Sequence, residues 1–238
     1  LVCGTWSLFG TERDAPMLTE EARLLDFSNE GGAGGKFQLL KNIMGLWILQ
    51  ECKREWDAQG EAKDYSLLVS EARRAQPFRS LIHPDDFRFY SPHDMVSKIQ
   101  SFCKETGQPI PESTGEITRC VIESLALRYR QAIEQLEQLT GESYERLHMV
   151  GGGIQNELLC ELTANAISRS VWAGPSEASA LGNMLLQLMA EGLCSDLREA
   201  RRLIARSFPV RVYEPSQDAK ERSGWEQAYR RFLQLDRK

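Results

Sequence analysis

No apolar run in this sequence approaches the ~20 residues that cross a bilayer, and Ile43 to Leu49 is far too short. No basic start followed by an apolar core marks a secretory leader at the N-terminus. A membrane partner is therefore not expected. The six cysteines (Cys3, Cys52, Cys103, Cys120, Cys160 and Cys194) form no CxxC pair. That excludes the common zinc arrangement and suits free thiols in a reducing, cytoplasmic compartment. Cys103 and Cys120 flank one connecting loop and are the two expected to approach each other. Internal repeats and low-complexity tracts are absent. Charge excess is slight: a net charge of -5 and a pI near 5.4 argue against nucleic acid as a partner.

What is present is an ordinary globular composition. The 238 residues are 42% hydrophobic with a mean hydropathy of -0.41, enough for one large domain or two small ones. The chain begins at Leu1, with Val2 already in a strand-like context, so it is expected to be a piece of something longer.

The organising stretch is His148-Met149-Val150-Gly151-Gly152-Gly153-Ile154-Gln155-Asn156. Tyr144 to Val150 reads as a short strand, and Leu158, Leu159, Leu162, Ala166 and Ile167 follow at helical spacing. Three glycines between a strand and a helix let the backbone turn sharply, with nothing projecting into the turn. A phosphate or ribose can then approach the chain itself. Tight strand-to-helix packing needs the same residues, so the turn alone leaves both readings open. Ser170 to Ala173 is a second strand, closed by Gly174-Pro175, and Glu177 to Gly182 opens a helix rich in small residues. Such residues allow close packing or leave room for a flat base.

Elsewhere, Cys3 to Gly10 reads as a strand or hairpin arm, and Gly4-Thr5 offers an amide and a hydroxyl at its bend. The glycine-rich loop Ser28 to Gly35 precedes a helix expected from Phe37 to Trp56, on which Asn42 and Gln50 share one broad side. Asp64 to Ala75 is a second amphipathic helix, and Ser91 is expected to cap a third that runs to Thr106. The longest helix spans Glu116 to Thr140, with Ile117, Val121, Leu125, Tyr129, Ile133 and Leu136 on its core face. His83, Asp85, Asp86, His93 and Asp94 crowd two polar turns but match no compact ligand spacing, and Asp and Ser before helices are usually caps. Arg198, Arg201, Arg202 and Arg206 cluster at helical spacing, a pattern more often solvated than phosphate-binding. Val210 to Tyr213 is extended, and a terminal helix covers Lys220 to Leu235. Helix, strand, glycine turn, helix, strand is a βαβ-type progression.

Several segments carry a more specific pattern. Gly4-Thr5-Trp6-Ser7, Asn29-Glu30-Gly31-Gly32, Leu40 to Trp47 with Gln50, Thr106 to Pro111, His148 to Asn156 and Ala173 to Asn183 resemble, in this order, the rhamnulokinases of the FGGY carbohydrate kinases. LKNIMGLW and AGPxEASxLGN together are specific, and the match spans essentially the whole chain. The resemblance implies an α/β, actin-like and ribonuclease-H-like lobe, a mixed sheet flanked by helices, with residues 1–238 forming the C-terminal nucleotide-binding lobe. It implies transfer of the ATP γ-phosphoryl group to O1 of L-rhamnulose with Mg²⁺, the sugar being held by another lobe. By motif, Thr5 would lie near the terminal phosphates, with Asn42 and Gln50 on the nucleotide. Gly151, Gly152 and Gly153 would run along the adenosine and α-phosphate, with Asn156 close by and Glu177 to Gly182 behind the adenine.

Two departures stand out. Val2-Cys3 replaces the serine pair that usually precedes the GTW segment. The catalytic aspartate of that family lies in a His-Asp-Thr-Ala segment upstream of GTW, and no such segment occurs here. Asp14, Asp26, Asp85 and Asp86 are available carboxylates outside that context. The alternatives are a kinase for another ketose (xylulose or fuculose) and a nucleotide-binding module without chemistry of its own.

Overall fold

The computed structural model describes residues 1–235. Strands β1 (Val2–Cys3) and β2 (Trp6–Arg13) fold back on each other about Gly4 and Thr5. A short helix, α1 (Glu20–Leu24), is capped by the Thr19 hydroxyl and leads to β3 (Phe27–Gly31). Strand β4 (Phe37–Met44) lies between β2 and β3, antiparallel to both, with Trp6 opposite Met44 and Phe27 opposite Lys41.

The helix expected from Phe37 to Trp56 is thus two elements, β4 and α2 (Trp47–Ala58). Leu39, Lys41 and Ile43 are buried while Gln38 and Asn42 are exposed, a period of two. A lysine on the core face hides that alternation from a hydropathy reading. Its ammonium bonds the Leu25 carbonyl and lies 5.3 Å from the Phe27 ring centre. Gly45 divides strand from helix for a steric reason. A Cβ there would sit 2.7 Å from the Gly4 carbonyl oxygen and 2.8 Å from that of Thr5. Those same carbonyls accept from the Leu46 and Trp47 amides at 2.9 and 3.1 Å, so the hairpin bend caps α2.

Helix α3 (Tyr65–Arg74) is capped by Asp64, as its sequence suggests. Helix α4 (Met95–Glu105) corrects a second expectation, because Ser91 does not cap it. The residue before α4 is Asp94, in left-handed conformation (φ 54°), and it makes no side-chain cap. Glu55 of α2 supplies the acceptor instead, taking the Met95 amide and the Val96 amide at 3.3 Å. Ser91 accepts from Lys98.

Helix α5 (Thr114–Thr140) is the spine. It starts with a reciprocal cap between Ser113 and Glu116 and ends at Gly141 with φ 70°. All six expected core positions are buried, and α5 packs against α3. Strand β5 (Arg146–Met149), helix α6 (Glu157–Ile167) and strand β6 (Ser170–Ala173) make the expected crossover, with β5 parallel to β6 and α6 against α5. Helices α7 (Ala178–Ala190) and α8 (Leu197–Ser207) follow. Strand β7 (Arg211–Tyr213) then pairs antiparallel with β6, and α9 (Ala219–Leu235) buries Trp225, Tyr229 and Phe232. The arginines of α8 are exposed, with Arg201 3.3 Å from Glu12. One parallel bridge between Val2 and Val150 joins the two sheets. The six cysteines are free and buried. Among the described residues, no helix is long and apolar enough to cross a membrane.

Removing a capping acceptor typically costs ~0.5–2 kcal/mol. Glu55→Ala is expected to lower stability by about 1 kcal/mol, read as a drop in urea midpoint with an unchanged slope. Ser91→Ala is expected to leave the midpoint nearly where it was; the reverse ranking would show that Glu55 does not hold the start of α4.

Candidate functional site

The bridge between the sheets brings β1 against the glycine turn, and the three glycines then have different duties. Gly151 has φ 90°, and a Cβ on it would meet the Cys3 carbonyl oxygen at 2.7 Å. A Cβ on Gly153 would lie 2.4 Å from Cys3 Sγ and 2.8 Å from the Cys3 carbonyl oxygen. Both positions serve close packing. Gly152 is different: a Cβ there meets nothing within 4 Å.

That open space is a cavity of about 680 Å³ between the β1–β2 bend, α2, α3 and the start of α6. Thr5 and Gln50 face it from the bend and from α2, and the Thr5 hydroxyl donates to Gln50 Oε1 at 3.1 Å. Gly152, Gly153 and Asn156 line the opposite side. The Asn156 side chain accepts from the Leu159 amide at 3.1 Å and so caps α6. Five of the seven expected site residues, from three distant stretches of chain, therefore share one cavity. The other two do not line it. Gly151 sits behind the turn against Cys3, and Asn42 is an exposed residue of β4 rather than a helical neighbour of Gln50.

Helix α3 adds Tyr65, Ser66, Val69 and Arg73, none of which stands out in the sequence. The Arg73 guanidinium is held 2.7 Å from Glu161 of α6, which raises its pKa further and keeps it cationic. Behind the site, burial pushes the Cys3 thiol up, so it stays protonated and unreactive. Its neighbours are the Tyr129 hydroxyl at 3.8 Å and, through Tyr129, the Ser7 hydroxyl, which is 2.6 Å from it.

A second cavity of about 500 Å³ adjoins the first, under the β6–α7 turn. Its walls are largely apolar: Ala173, Pro175, Leu181, Phe208, Pro209 and Tyr213. Glu177 and Leu181, from the segment Glu177 to Gly182, border this second cavity. Arg211 lies at its rim, its pKa raised by Tyr213 and Glu157 beside it.

Of the four aspartates outside the motif, three have structural partners. Asp14 pairs with Lys36. Asp85 accepts from the Met44 amide and from Arg128, both at 2.7 Å. Asp86 caps a short 3-10 turn and binds Arg88 at 2.9 Å. Asp26 occupies a left-handed turn before β3. Among the described residues, no group of three or more His, Cys, Asp or Glu side chains is placed to hold a metal ion.

Residues 1–191 match the FGGY family of carbohydrate kinases, C-terminal domain. The chain belongs to this family. It is 48% identical over 232 residues to a rhamnulokinase of Bacteroides thetaiotaomicron, covering 98% of this chain and 46% of that protein. A rhamnulokinase of Bacillus subtilis is 41% identical over 214 residues, covering 89% and 43%. The chain thus spans less than half the length of the curated relatives it matches. Its fold is similar to that of ligand-bound xylulose kinase from Lactobacillus acidophilus, with a TM-score of 0.71 at 15% identity, covering 99% of this chain and 46% of that one. FGGY kinases have the actin-like ATPase fold, so the mixed α/β architecture expected from the motifs is the one observed.

The glycine turn predicts opposite outcomes for neighbouring substitutions. Gly153→Ala forces Cys3 or the turn to move, and overpacking of this kind typically costs ~1–3 kcal/mol. Gly152→Ala has free space and is expected to change stability by less than about 0.5 kcal/mol. Equal thermal shifts for the two would refute this division of roles.

Proposed function

We propose that this chain is the nucleotide-binding lobe of a rhamnulokinase, holding ATP while its γ-phosphoryl group passes to O1 of L-rhamnulose. The observation that carries the reading is the convergence of Thr5, Gln50, Gly152, Gly153 and Asn156 on one cavity, in a chain 48% identical to a rhamnulokinase. Thr5 and Gln50 would meet the terminal phosphates, and the open face at Gly152 would run along the adenosine and α-phosphate. Gly151 would act only by shaping the turn. Asn42 would contribute from the exposed face of β4, outside this cavity.

Phosphoryl transfer needs positioning, charge neutralisation and an acceptor for the hydroxyl proton. The residues here supply positioning. Mg²⁺ typically reaches such sites through phosphate oxygens and water with few protein carboxylates. It would therefore arrive with ATP, neutralising phosphate charge, rather than occupy a site built by this chain. Among the described residues, no aspartate lines the cavity, and three of the four candidates are tied to cations or amides elsewhere.

Loss of general-base assistance typically removes ~10²–10⁴-fold in rate, and loss of in-line alignment removes about 7–11 kcal/mol of barrier reduction. These 238 residues are therefore expected to bind ATP weakly and to release no ADP in response to L-rhamnulose in a coupled assay with Mg²⁺. Gly152→Val, which fills the open face, is expected to weaken ATP binding by calorimetry while the fold persists. Unchanged affinity in a folded Gly152→Val protein would displace the site. Sugar-dependent turnover by this chain would return the search for a base to Asp14, Asp26, Asp85 and Asp86. Expressed from its full reading frame, the protein is expected to prefer L-rhamnulose; preference for xylulose or fuculose would replace the sugar assignment.

A further inference from the structure

We propose that Glu157 is the residue that reads the nucleotide's ribose, accepting hydrogen bonds from its 2′- and 3′-hydroxyls; the proposal rests on the nucleotide reading above. Two cavities meet on this surface, and they differ in character. The larger has the Thr5 hydroxyl, the Gln50 amide and the open backbone at Gly152. The smaller has a largely apolar lining that includes Pro175, Leu181, Phe208 and Tyr213. An adenine nucleotide has the same asymmetry, a flat apolar base at one end and oxygen-rich phosphates at the other, with the ribose between them. Among the residues lining these two cavities, only Gln155 and Glu157 line both. They form the saddle where the middle of such a ligand must lie.

The chemistry of the saddle selects what it can hold. A carboxylate there repels phosphate, so it cannot mark the phosphate end, but it is an acceptor-only group suited to a vicinal diol. Arg211, at the rim of the smaller cavity, pairs with Glu157 Oε1. Arg73, across the larger cavity, is engaged by Glu161 one helical turn further along α6 and leaves Glu157 its own orientation. Both members of the Glu157–Arg211 pair are more than half exposed, with side-chain exposures of 56% and 62%, so the pair adds little to stability.

The test compares ATP, 2′-deoxy-ATP, 2′,3′-dideoxy-ATP and inosine triphosphate by calorimetry on the wild-type chain, Glu157→Ala and Glu157→Gln. Hydrogen bonds to charged groups support a preference of about tenfold for ATP over the dideoxy nucleotide in the wild type. Glu157→Ala is expected to erase that ratio, while Glu157→Gln, which keeps one acceptor oxygen, retains part of it. A full ratio in folded Glu157→Ala, or no ratio in the wild type, overturns the proposal while leaving nucleotide binding intact. A loss of discrimination between ATP and inosine triphosphate, with the ribose ratio unchanged, also overturns it, because Glu157 would then read the base. Failure of every nucleotide to bind the wild type removes the nucleotide reading itself, and this proposal with it.

Discussion

The contact between Cys3 and the glycine turn is the constraint on which the rest of the site depends. Cys3 is fully buried, and its carbonyl and thiol lie where side chains at Gly151 and Gly153 would have to be. That approach is fixed by hydrogen bonds on both sides of it: the Cys3 amide to the Val150 carbonyl at 2.7 Å and the Val150 amide to the Leu1 carbonyl at 3.0 Å. Through it a largely antiparallel half and a crossover half become neighbours. Without it the Gly4–Thr5 bend and the start of α6 would not face each other, and no cavity would lie between them. The bend is then locked a second time, because its carbonyls cap α2 and its Thr5 hydroxyl reaches Gln50.

What the sequence discloses is what neighbouring residues decide among themselves. Helix α5 is legible because its core face repeats at a constant helical spacing, and its caps, Ser113 with Glu116 and Gly141, lie beside it in the chain. The β5–α6–β6 crossover is legible for the same reason. Strand β4 is not, because its pairing partners are β2 and β3, and its buried Lys41 reads as a break in the apolar pattern. The start of α4 is likewise settled at a distance: Ser91 offers a cap in the sequence, but Glu55 of another helix takes the amides.

The candidate site divides along the same line. Thr5, Gln50, Gly152, Gly153 and Asn156 lie in recognisable motifs, and the structure collects them. Asn42 lies in the same motif as Gln50, yet the strand-to-helix change at Gly45 turns it to the exposed sheet face. Arg73 and Tyr65 belong to a helix with no motif at all, and they border the cavity only because α3 packs on α5. Glu157 is one more acid at a helix start until the second cavity shows what lies on its other side.

Val2-Cys3, where the family resemblance leads one to expect a serine pair, supports the site from behind. Cys3 points away from the cavity, toward Tyr129 and Ser7, so a hydroxyl at that position would strengthen a buried network rather than reach a ligand. Burial raises the thiol's pKa, and a neutral thiol fits between two hydroxyls and the glycine turn without leaving a charge to satisfy. Neither Val2 nor Cys3 lines the cavity, and Val2 pairs with Leu8 at the strand edge. What this segment presents to the cavity is Gly4 and Thr5. Val2 and Cys3 thus belong to the support of the site, and Gly4 and Thr5 to its cavity-lining groups.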